Sequence, residues 1–385
     1  MSAEPSPPAV NHVRARAAAR SGRDRDRIAA ALTGAVLPEA GLSTESLADR
    51  LFQHPITINF HPDRVVRTGA TAGLTVAESL LRTGGYLTQY QTGISAGGLT
   101  AHRGGDRHRW EVTLFGDDYA AITGSAPVHR PRYGGLNIAE YPDGSCPRFG
   151  SCVLVLRPHT VRRSTFSVGD SSSTPTDIGT SDAGLGVLAG LLETAHRSGR
   201  VLNLPRGNVA ELIAAIRAGE PPTAGDSGRH RTDGPEPTPV RALGRALDDY
   251  VEAQVHGPID LAADVAALVV DPSFDHTRDG TALEQVADRF QFPLLRHPGY
   301  GLPAGRVGPE FRGPAIPGLA RRVQREFADG GPLTAAAVGR AAVDLVHNPH
   351  RWTDHDPATT AQHLKQLWHT LVAFGDPIGP VKSFN

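Results

Sequence analysis

The chain has 385 residues, which is enough for a sizeable buried core and for one elaborated domain or two. Its 39 basic and 40 acidic residues give a net charge of -1 with no long run of either sign, which argues against nucleic acid as a partner. Two cysteines are too few for a disulfide framework or a structural zinc site, and no pattern predicts a cleaved signal peptide or a membrane span.

The first predicted elements are helices. Residues 12–37 place apolar side chains among arginines, which predicts one or two surface helices in an N-terminal cap spanning 1–50. From Ile56 onward, short β-rich runs divided by glycines predict a set of strands, with one helix over 75–82. The predicted strands are 57–60, 86–90, 110–115, 136–138, 152–156 and 164–168.

The second half of the chain is predicted to be mainly helical around one late strand. Residues 219–240, which are rich in Gly, Pro, Asp and Thr, predict a flexible insertion. We predict an α+β fold in which a compact, bent β core of two small sheets is flanked by helices. The catalytic domain would span 51–300, and a helical extension would span 301–385. Helices are predicted at 185–195, 209–217 and 261–270, a strand at 250–256, and a mainly helical tail at 333–374.

Polar residues follow the first predicted strand, where residues 59–64 are NFHPDR. Strand ends of this kind often carry side chains that converge on a ligand. Arg64 suits a diphosphate because its planar fork can donate two parallel hydrogen bonds, and His61 lies beside it in the sequence. The alternative is a capped strand end in which Asp63 and Arg64 form a surface pair.

The segment 86–98 (YLTQYQTGISAGG) combines hydroxyl and amide side chains with glycines that allow close backbone approach. A ligand pressed against the backbone would need this composition, so Gln89, Thr92, Gly93 and Ser95 are candidate binding residues. The glycine spacing matches neither the dinucleotide motif nor the phosphate loop. The alternative is a simple turn between two strands.

A metal site is not predicted. His102, Asp106 and His108 have side chains that bind zinc or iron, but the intervening glycines and neighbouring arginines favour a solvated hairpin loop.

Two similar segments, 130–137 (RPRYGGLN) and 146–152 (CPRFGSC), each lead into a predicted strand and suggest two strand entries that line one cleft. Asn137 stands on an otherwise apolar strand, where a buried amide needs hydrogen-bond partners. It therefore either orients a ligand or is a satisfied core residue.

The late predicted strand carries Glu252, Gln254 and His256, which project to one face because side chains alternate along a strand. Three polar groups on one face indicate either an exposed edge or a functional site. Periodicity alone favours neither.

Together, these segments resemble a bacterial family known only as domain of unknown function 3626, over most of residues 50–300. More weakly, the order of a basic strand end, a Ser/Thr strand and a late Glu-x-Gln strand resembles the ADP-ribosyltransferase superfamily. The late strand of that superfamily commonly bears Glu-x-Glu or Gln-x-Glu. The resemblance implies two abutting small sheets that hold NAD, as a substrate, in a bent cleft.

The same resemblance implies roles for individual residues, and Gln254 departs from it because it stands where the second Glu is expected. Four residues, Arg64, Ser95, Asn137 and Glu252, would have to meet in one cleft. By this resemblance Arg64 would bind the phosphates and the nicotinamide ribose, or His61 would do so in a site of the His type. Thr92 and Ser95 would belong to the Ser-Thr-Ser strand, and Asn137 would lie near the nicotinamide. Glu252 would be the catalytic carboxylate.

We therefore predict an NAD-dependent ADP-ribosyltransferase that modifies a protein or other macromolecular acceptor. It would be cytoplasmic, or a toxin or effector secreted without a cleaved signal peptide, with no membrane or nucleic-acid partner. One alternative is a hydrolase, with or without a metal, built on His61, Asp63, His102, Asp106 and His108. The other is a non-catalytic module that binds a partner peptide, for which Glu252→Gln would change nothing.

Overall fold

A long mixed β-sheet runs through the centre of the protein in the computed structural model, which describes residues 6–33, 43–94, 101–123, 126–219 and 244–379. In chain order the strands are β1 (Ile56–Phe60), β2 (Gly85–Tyr86), β3 (Arg132–Leu136), β4 (Cys152–Leu156), β5 (Ser164–Val168), β6 (Ile178–Gly179), β7 (Val251–Val255), β8 (Ile259–Asp260), β9 (Val265–Val270) and β10 (Leu294–Arg296).

Eight strands form the main sheet in the order β10-β9-β4-β1-β3-β7-β5-β6, and β2 pairs with β8 in a separate two-stranded sheet. Pairing in the main sheet is antiparallel except between β9 and β10. The predicted α+β class is confirmed. In place of two small sheets of similar size, however, the structure has one large sheet and one small one.

Helices flank the sheet, and each predicted helix over 75–82, 185–195 and 209–217 is confirmed within a few residues. None of the helices in the described ranges has the length and apolar character needed to cross a bilayer. The helices are α1 (Pro8–Ala18), α2 (Ser21–Leu32), α3 (Thr44–Leu51), α4 (Val76–Thr83), α5 (Gln89–Thr92), α6 (Asp106–Phe115), α7 (Asp117–Thr123), α8 (Leu185–Ser198), α9 (Val209–Ala218), α10 (Leu261–Asp264), α11 (Arg278–Phe290), α12 (Ala315–Phe327), α13 (Ala335–His347) and α14 (Pro357–Phe374).

The prediction of a strand at 110–115 is wrong, because this segment belongs to α6. Its sequence alternates apolar and polar residues and so imitates a strand. The buried positions reveal the helical period instead, since they recur three to four residues apart along α6. These positions are Arg107, Trp110, Glu111, Leu114 and Phe115. The hairpin loop predicted around His102, Asp106 and His108 is wrong for the same reason, since Asp106 begins the helix and His108 lies in its first turn.

Residues 261–270 were predicted as a helix and instead form the short helix α10 and the strand β9. A short apolar run does not distinguish a buried helix from a buried strand. The β-branched residues Val265, Val269 and Val270 favour the extended form, which pairs with β4 on one side and β10 on the other. Two strand boundaries also differ from the prediction, since the segment after Tyr86 turns into α5 and β3 ends before Asn137.

The two faces of the main sheet differ in chemistry. One face is apolar and includes Ile58, Leu154 and Phe166, and it is covered by helices such as α3, whose C-cap residue Phe52 contacts Phe166 with ring centroids 4.7 Å apart. The opposite face carries buried polar side chains on neighbouring strands, in the register given by the strand pairing. They are Thr57, Asn59, Thr165, Ser167, Glu252 and Gln254, and the half-buried Tyr133 lies on the same face.

The remaining chain covers the polar face and the sheet ends. The N-terminal helices pack on the β core, with α1 against α6 and β5 and α2 against α8. At the other end of the chain, Trp368 of α14 donates its indole N–H to the carbonyl of Pro147, at 3.0 Å. Apart from Gly219, the predicted insertion at 219–240 lies outside the described residues, and the domain boundaries near 50 and 300 stay predictions.

Candidate functional site

Glu252 lies in the middle of the polar face, on β7 between Gly135 of β3 and Ser167 of β5. Glu252 is only 3% exposed to solvent. The space above Gly135 is filled, because a Cβ there would lie 2.4 Å from Ser145 Oγ and 2.6 Å from Cys146 Sγ. The missing side chain at 135 thus lets the turn at 145–146 pack down beside the carboxylate.

A directed chain of hydrogen bonds leads to Glu252. The Thr165 hydroxyl donates to Gln254 Oε1 at 2.8 Å, so its oxygen must accept from His256 Nε2, 3.0 Å away. Gln254 Nε2 then donates to Glu252 Oε1 at 2.9 Å and to Ser167 Oγ at 3.1 Å. The donor order fixes the Gln254 amide so that its nitrogen faces the carboxylate.

His256 is suited to begin this chain as a neutral donor. Burial, reinforced by the nearby charges of Arg163 and Arg132, lowers its pKa to about 3. Its ring also packs edge-on against Phe115, with centroids 4.9 Å apart. The imidazole is therefore uncharged and held in place at neutral pH.

The carboxyl group of Glu252 titrates near neutrality. Burial raises its pKa to about 7, and the negative charge of Asp170 adds to that effect, while hydrogen bonds from Gln254 and Ser171 oppose it. Tyr250 contributes a weak contact from its hydroxyl at 3.4 Å. A buried carboxyl group with such a pKa can accept a proton in its ionised form or donate one in its protonated form at neutral pH.

Arg64 has only an indirect electrostatic link to Glu252, and their meeting in one cleft stays a prediction. Its charge acts on Lys365 of α14, and Asp170 acts on both Lys365 and Glu252. His61 belongs to the same region, where its ring packs on Trp368 at a centroid distance of 5.0 Å. Burial and the positive charge of Arg64 keep the pKa of His61 well below its usual range.

Asn137 does not have a free amide for a ligand in this structure. Its Nδ2 donates to the carbonyl of Tyr141 at 2.9 Å, and its Oδ1 accepts from the Tyr141 N–H at 3.1 Å. The side chain closes the turn that follows β3. Of the two interpretations left open by the sequence, the structure favours the satisfied core residue.

The predicted binding segment 86–98 is not the strand next to Glu252. Thr92 lies on α5, where its hydroxyl donates to the Thr88 carbonyl at 3.1 Å, and Gly93 ends that helix with φ +65°. Gln89 begins the same helix, and its buried Oε1 has no hydrogen-bond partner within the described ranges. Ser95 lies outside the described residues. The hydroxyl-bearing strand beside Glu252 is β5, through Thr165 and Ser167.

The residues proposed for the hydrolase alternative have different neighbours and do not form one site in the described structure. Asp63 is buried against Gly339 of α13, whereas His108 contacts Arg130 at 2.8 Å. His102 is exposed and bonds the neighbouring carbonyl of Arg103. In the described part of the chain, no three His, Cys, Asp or Glu side chains are grouped so that they could hold a metal ion.

A second buried carboxylate, Glu111 of α6, was missed from the sequence because its segment was assigned to a strand. It is fully buried and ion-paired to Arg130. Three tyrosine hydroxyls also donate to it, from Tyr119 at 2.8 Å, Tyr133 at 2.7 Å and Tyr90 at 3.4 Å. With so many donors this carboxylate is saturated, so its role is structural. The i, i+4 spacing of buried residues along α6 is the sequence signal that would have revealed it.

The comparisons with known proteins identify the family. A family model described as "Protein of unknown function (DUF3626)" matches residues 55–374, which is most of the chain, so the protein belongs to this family. No curated protein matches the chain.

Proposed function

We propose that this protein transfers ADP-ribose from NAD to a macromolecular acceptor, with Glu252 as the catalytic carboxylate. The observation that carries the proposal is the pairing of β7 with β5. It puts a buried Glu-x-Gln beside Thr165 and Ser167, and Gln254 bonds both the hydroxyl strand and Glu252. This arrangement agrees with the late Glu-x-Gln strand on which the resemblance to ADP-ribosyltransferases depends. The Ser/Thr strand of the resemblance is then β5, instead of the segment around Thr92.

The reaction needs a carboxylate at this position for an electrostatic reason. Nicotinamide leaves with the electron pair of its bond to the ribose C1′, and the ribose becomes cationic in the transition state. Glu252 can stabilise that positive charge and accept a hydrogen bond from a ribose hydroxyl. The acceptor's lone pair then forms the new bond to C1′, and the proton that it loses can pass to Glu252, whose pKa of about 7 suits this step.

The surroundings of Glu252 fit a substrate that carries both a cation and phosphates. Burial strengthens electrostatic interactions with the nicotinamide ribose because little water competes. Lys365, on which the charges of both Asp170 and Arg64 act, is a candidate source of positive charge for the phosphates. In this proposal Arg64 and His61 keep their predicted roles near the phosphates and the nicotinamide ribose. Asn137 does not contact the substrate and instead stabilises the turn after β3.

The test is the release of nicotinamide from NAD by purified protein, alone and with a cell extract as the source of acceptor. Labelled NAD would reveal any modified protein in the extract. We expect Glu252→Gln to lower the rate by about 10² to 10³, the usual effect of removing one such electrostatic contact. Glu284→Gln is the matched control, because Glu284 is an exposed glutamate on α11 whose ion pair with Arg296 is long, at 3.5 Å.

The proposal fails if the wild type neither releases nicotinamide nor labels a protein. It also fails if Glu252→Gln and Glu284→Gln have equal activity. A chelator is expected to leave the rate unchanged, whereas loss of activity with a chelator would favour the hydrolase alternative.

A further inference from the structure

A group of positively charged side chains gathers where the turn at Pro147–Phe149, the loop before α12 and the helix α14 meet. Arg148 lies in the turn, Arg312 in the loop, and Lys365 on α14. Burial and the neighbouring charges of Arg148 and Arg312 lower the pKa of Lys365, and burial and Arg148 lower the pKa of Arg312. The three cations are therefore close enough to repel one another.

Direct contacts hold the three segments together at this place. The Pro147 carbonyl accepts from Trp368 of α14, and Phe311 packs edge-on against Phe374 at the end of the same helix, with centroids 5.0 Å apart. Lys365 and His369 lie one turn apart on α14 and so face the same side. The fold thus forces the like charges together through packing of their neighbours.

Several polar atoms in this group are buried and lack a partner in the described part of the chain. They are the Nε atoms of Arg148 and Arg312 and the ring nitrogens of His369, which has only a weak interaction with the Arg148 backbone. His369 is only 5% exposed, and burial together with the charges of Arg312 and Lys365 lowers its pKa to about 3. A buried polar atom without a partner costs free energy, so these atoms indicate a ligand that accepts hydrogen bonds.

The negative charge of the nearby carboxylates does not neutralise all the positive charge of Arg148, Arg312, Lys365 and their neighbour Arg64. Arg148 pairs with Asp248, whose side chain is 71% exposed, and Asp170 acts on Lys365 from the β5 end. Arg64 adds a fourth cation to the surroundings of Lys365. In the described part of the chain, these four cations thus have three neighbouring carboxylates, because Asp63 acts on Arg64. An anionic ligand with more than one negative charge would offset the remaining repulsion.

We propose that Arg148, Arg312 and Lys365 form a binding site for a diphosphate group, with His369 as a neutral donor. Two arginine forks can each donate paired hydrogen bonds to phosphate oxygens, and a lysine adds a point charge, which suits two linked phosphates better than one. The turn that carries Arg148 adjoins Glu252, because Phe149 packs edge-on against Tyr250 with centroids 6.2 Å apart and the Tyr250 hydroxyl lies 3.4 Å from Glu252 Oε2. The diphosphate would therefore lie near the catalytic carboxylate. Only the identity of the ligand as NAD rests on the proposed function.

Titration calorimetry with inorganic pyrophosphate tests the site without any turnover. We expect the wild type to bind and Lys365→Met and Arg312→Met each to raise Kd by about tenfold to a hundredfold, the loss for a charged hydrogen-bonding partner. Arg321→Met on α12 is the matched control, since Arg321 is exposed and outside the group, and its Kd should equal that of the wild type. Orthophosphate and ADP-ribose serve as further ligands, and only ADP-ribose should match pyrophosphate.

Three outcomes would overturn the inference. They are no pyrophosphate binding by the wild type, equal Kd for the wild type and both variants, and equal affinity for orthophosphate. Folding is checked by thermal unfolding, where removal of one cation from a group of like charges should leave Tm unchanged or higher. Two variants on different segments keep the test valid if one of them unfolds.

The failure of this site and the failure of the proposed function are distinguishable. Glu252→Gln should bind pyrophosphate at least as tightly as the wild type, because a neighbouring negative charge is removed, although it releases nicotinamide about 10² to 10³ times more slowly. If the wild type binds pyrophosphate but consumes no NAD, the diphosphate site stands and the proposed reaction fails.

Discussion

Replacement of the proposed catalytic carboxylate should make the protein more stable. Glu252 is buried among neutral donors and has no cationic partner within hydrogen-bond distance in the described residues. Its pKa rises from 4.5 to about 7 in the folded protein. At about 1.4 kcal/mol for each pKa unit, the ionised form therefore costs the folded state about 3 kcal/mol.

The sign follows from proton binding. Below about pH 4.5 the side chain is protonated in both the folded and the unfolded protein, so it costs nothing extra. As the pH rises to about 7, the unfolded protein releases the proton more readily, and the folded protein loses stability. Glu252→Gln cannot ionise and so avoids this loss. Its amide hydrogens would face the Ser171 donors, which removes about 1 kcal/mol and leaves a net gain of about 2 kcal/mol.

Urea unfolding at several pH values between 4 and 8.5 measures this effect. We expect the free energy of unfolding of Glu252→Gln to lie about 1 kcal/mol below that of the wild type at pH 4 and to exceed it by about 2 kcal/mol at pH 8. Glu284→Gln, at an exposed site, should follow the wild type at every pH. If Glu252→Gln is less stable than the wild type at pH 8, the ionised carboxylate does not destabilise the folded protein as we describe.

Three further substitutions test other parts of the structure. Asp63 is buried, its carboxylate has no hydrogen-bond partner among the described residues, and burial raises its pKa to about 7. Asp63→Asn should therefore gain stability relative to the wild type in urea unfolding as the pH rises from 4 to 8, and a lower stability than the wild type at pH 8 would contradict this. Arg130→Met should cost about 3–5 kcal/mol in the same assay, because it leaves Glu111 buried without its cation, and a cost below about 1 kcal/mol would show that the tyrosines suffice. Gly135→Ala should cost about 1–3 kcal/mol, since its Cβ would lie 2.4 Å from Ser145 Oγ, and a melting temperature equal to that of the wild type would show that the 145–146 turn can move away.

The structure also explains why some predictions succeeded. The strands at 152–156 and 164–168 and the helix after Thr75 have strong local signals, namely runs of β-branched and apolar residues for the strands and a complete capping box for the helix. The common face of Glu252 and Gln254 follows from the two-residue period of a strand. These features depend only on residues near one another in the chain.

Other features of the site depend on distant partners. Thr165 and Gln254 bond each other although 89 residues separate them, and no local pattern specifies that β5 and β7 are neighbours. The same holds for Arg148, Arg312 and Lys365, which come from three remote segments that packing brings together. Thr92 was placed beside Glu252 because its segment has the right composition, whereas β5 occupies that position in the sheet.

The sequence by itself determined the α+β class, the strands β1, β4, β5 and β7, several helices, and a polar face on the late strand, because local periodicity and capping act over a few residues. Only the tertiary structure decided that Trp110–Phe115 is helical, which strand lies beside Glu252, and which cations stand near it. Strand order, burial of a carboxylate and the resulting pKa arise from contacts between segments far apart in the chain. For that reason the Glu252 network and the cation group of α14 become visible only in the folded protein.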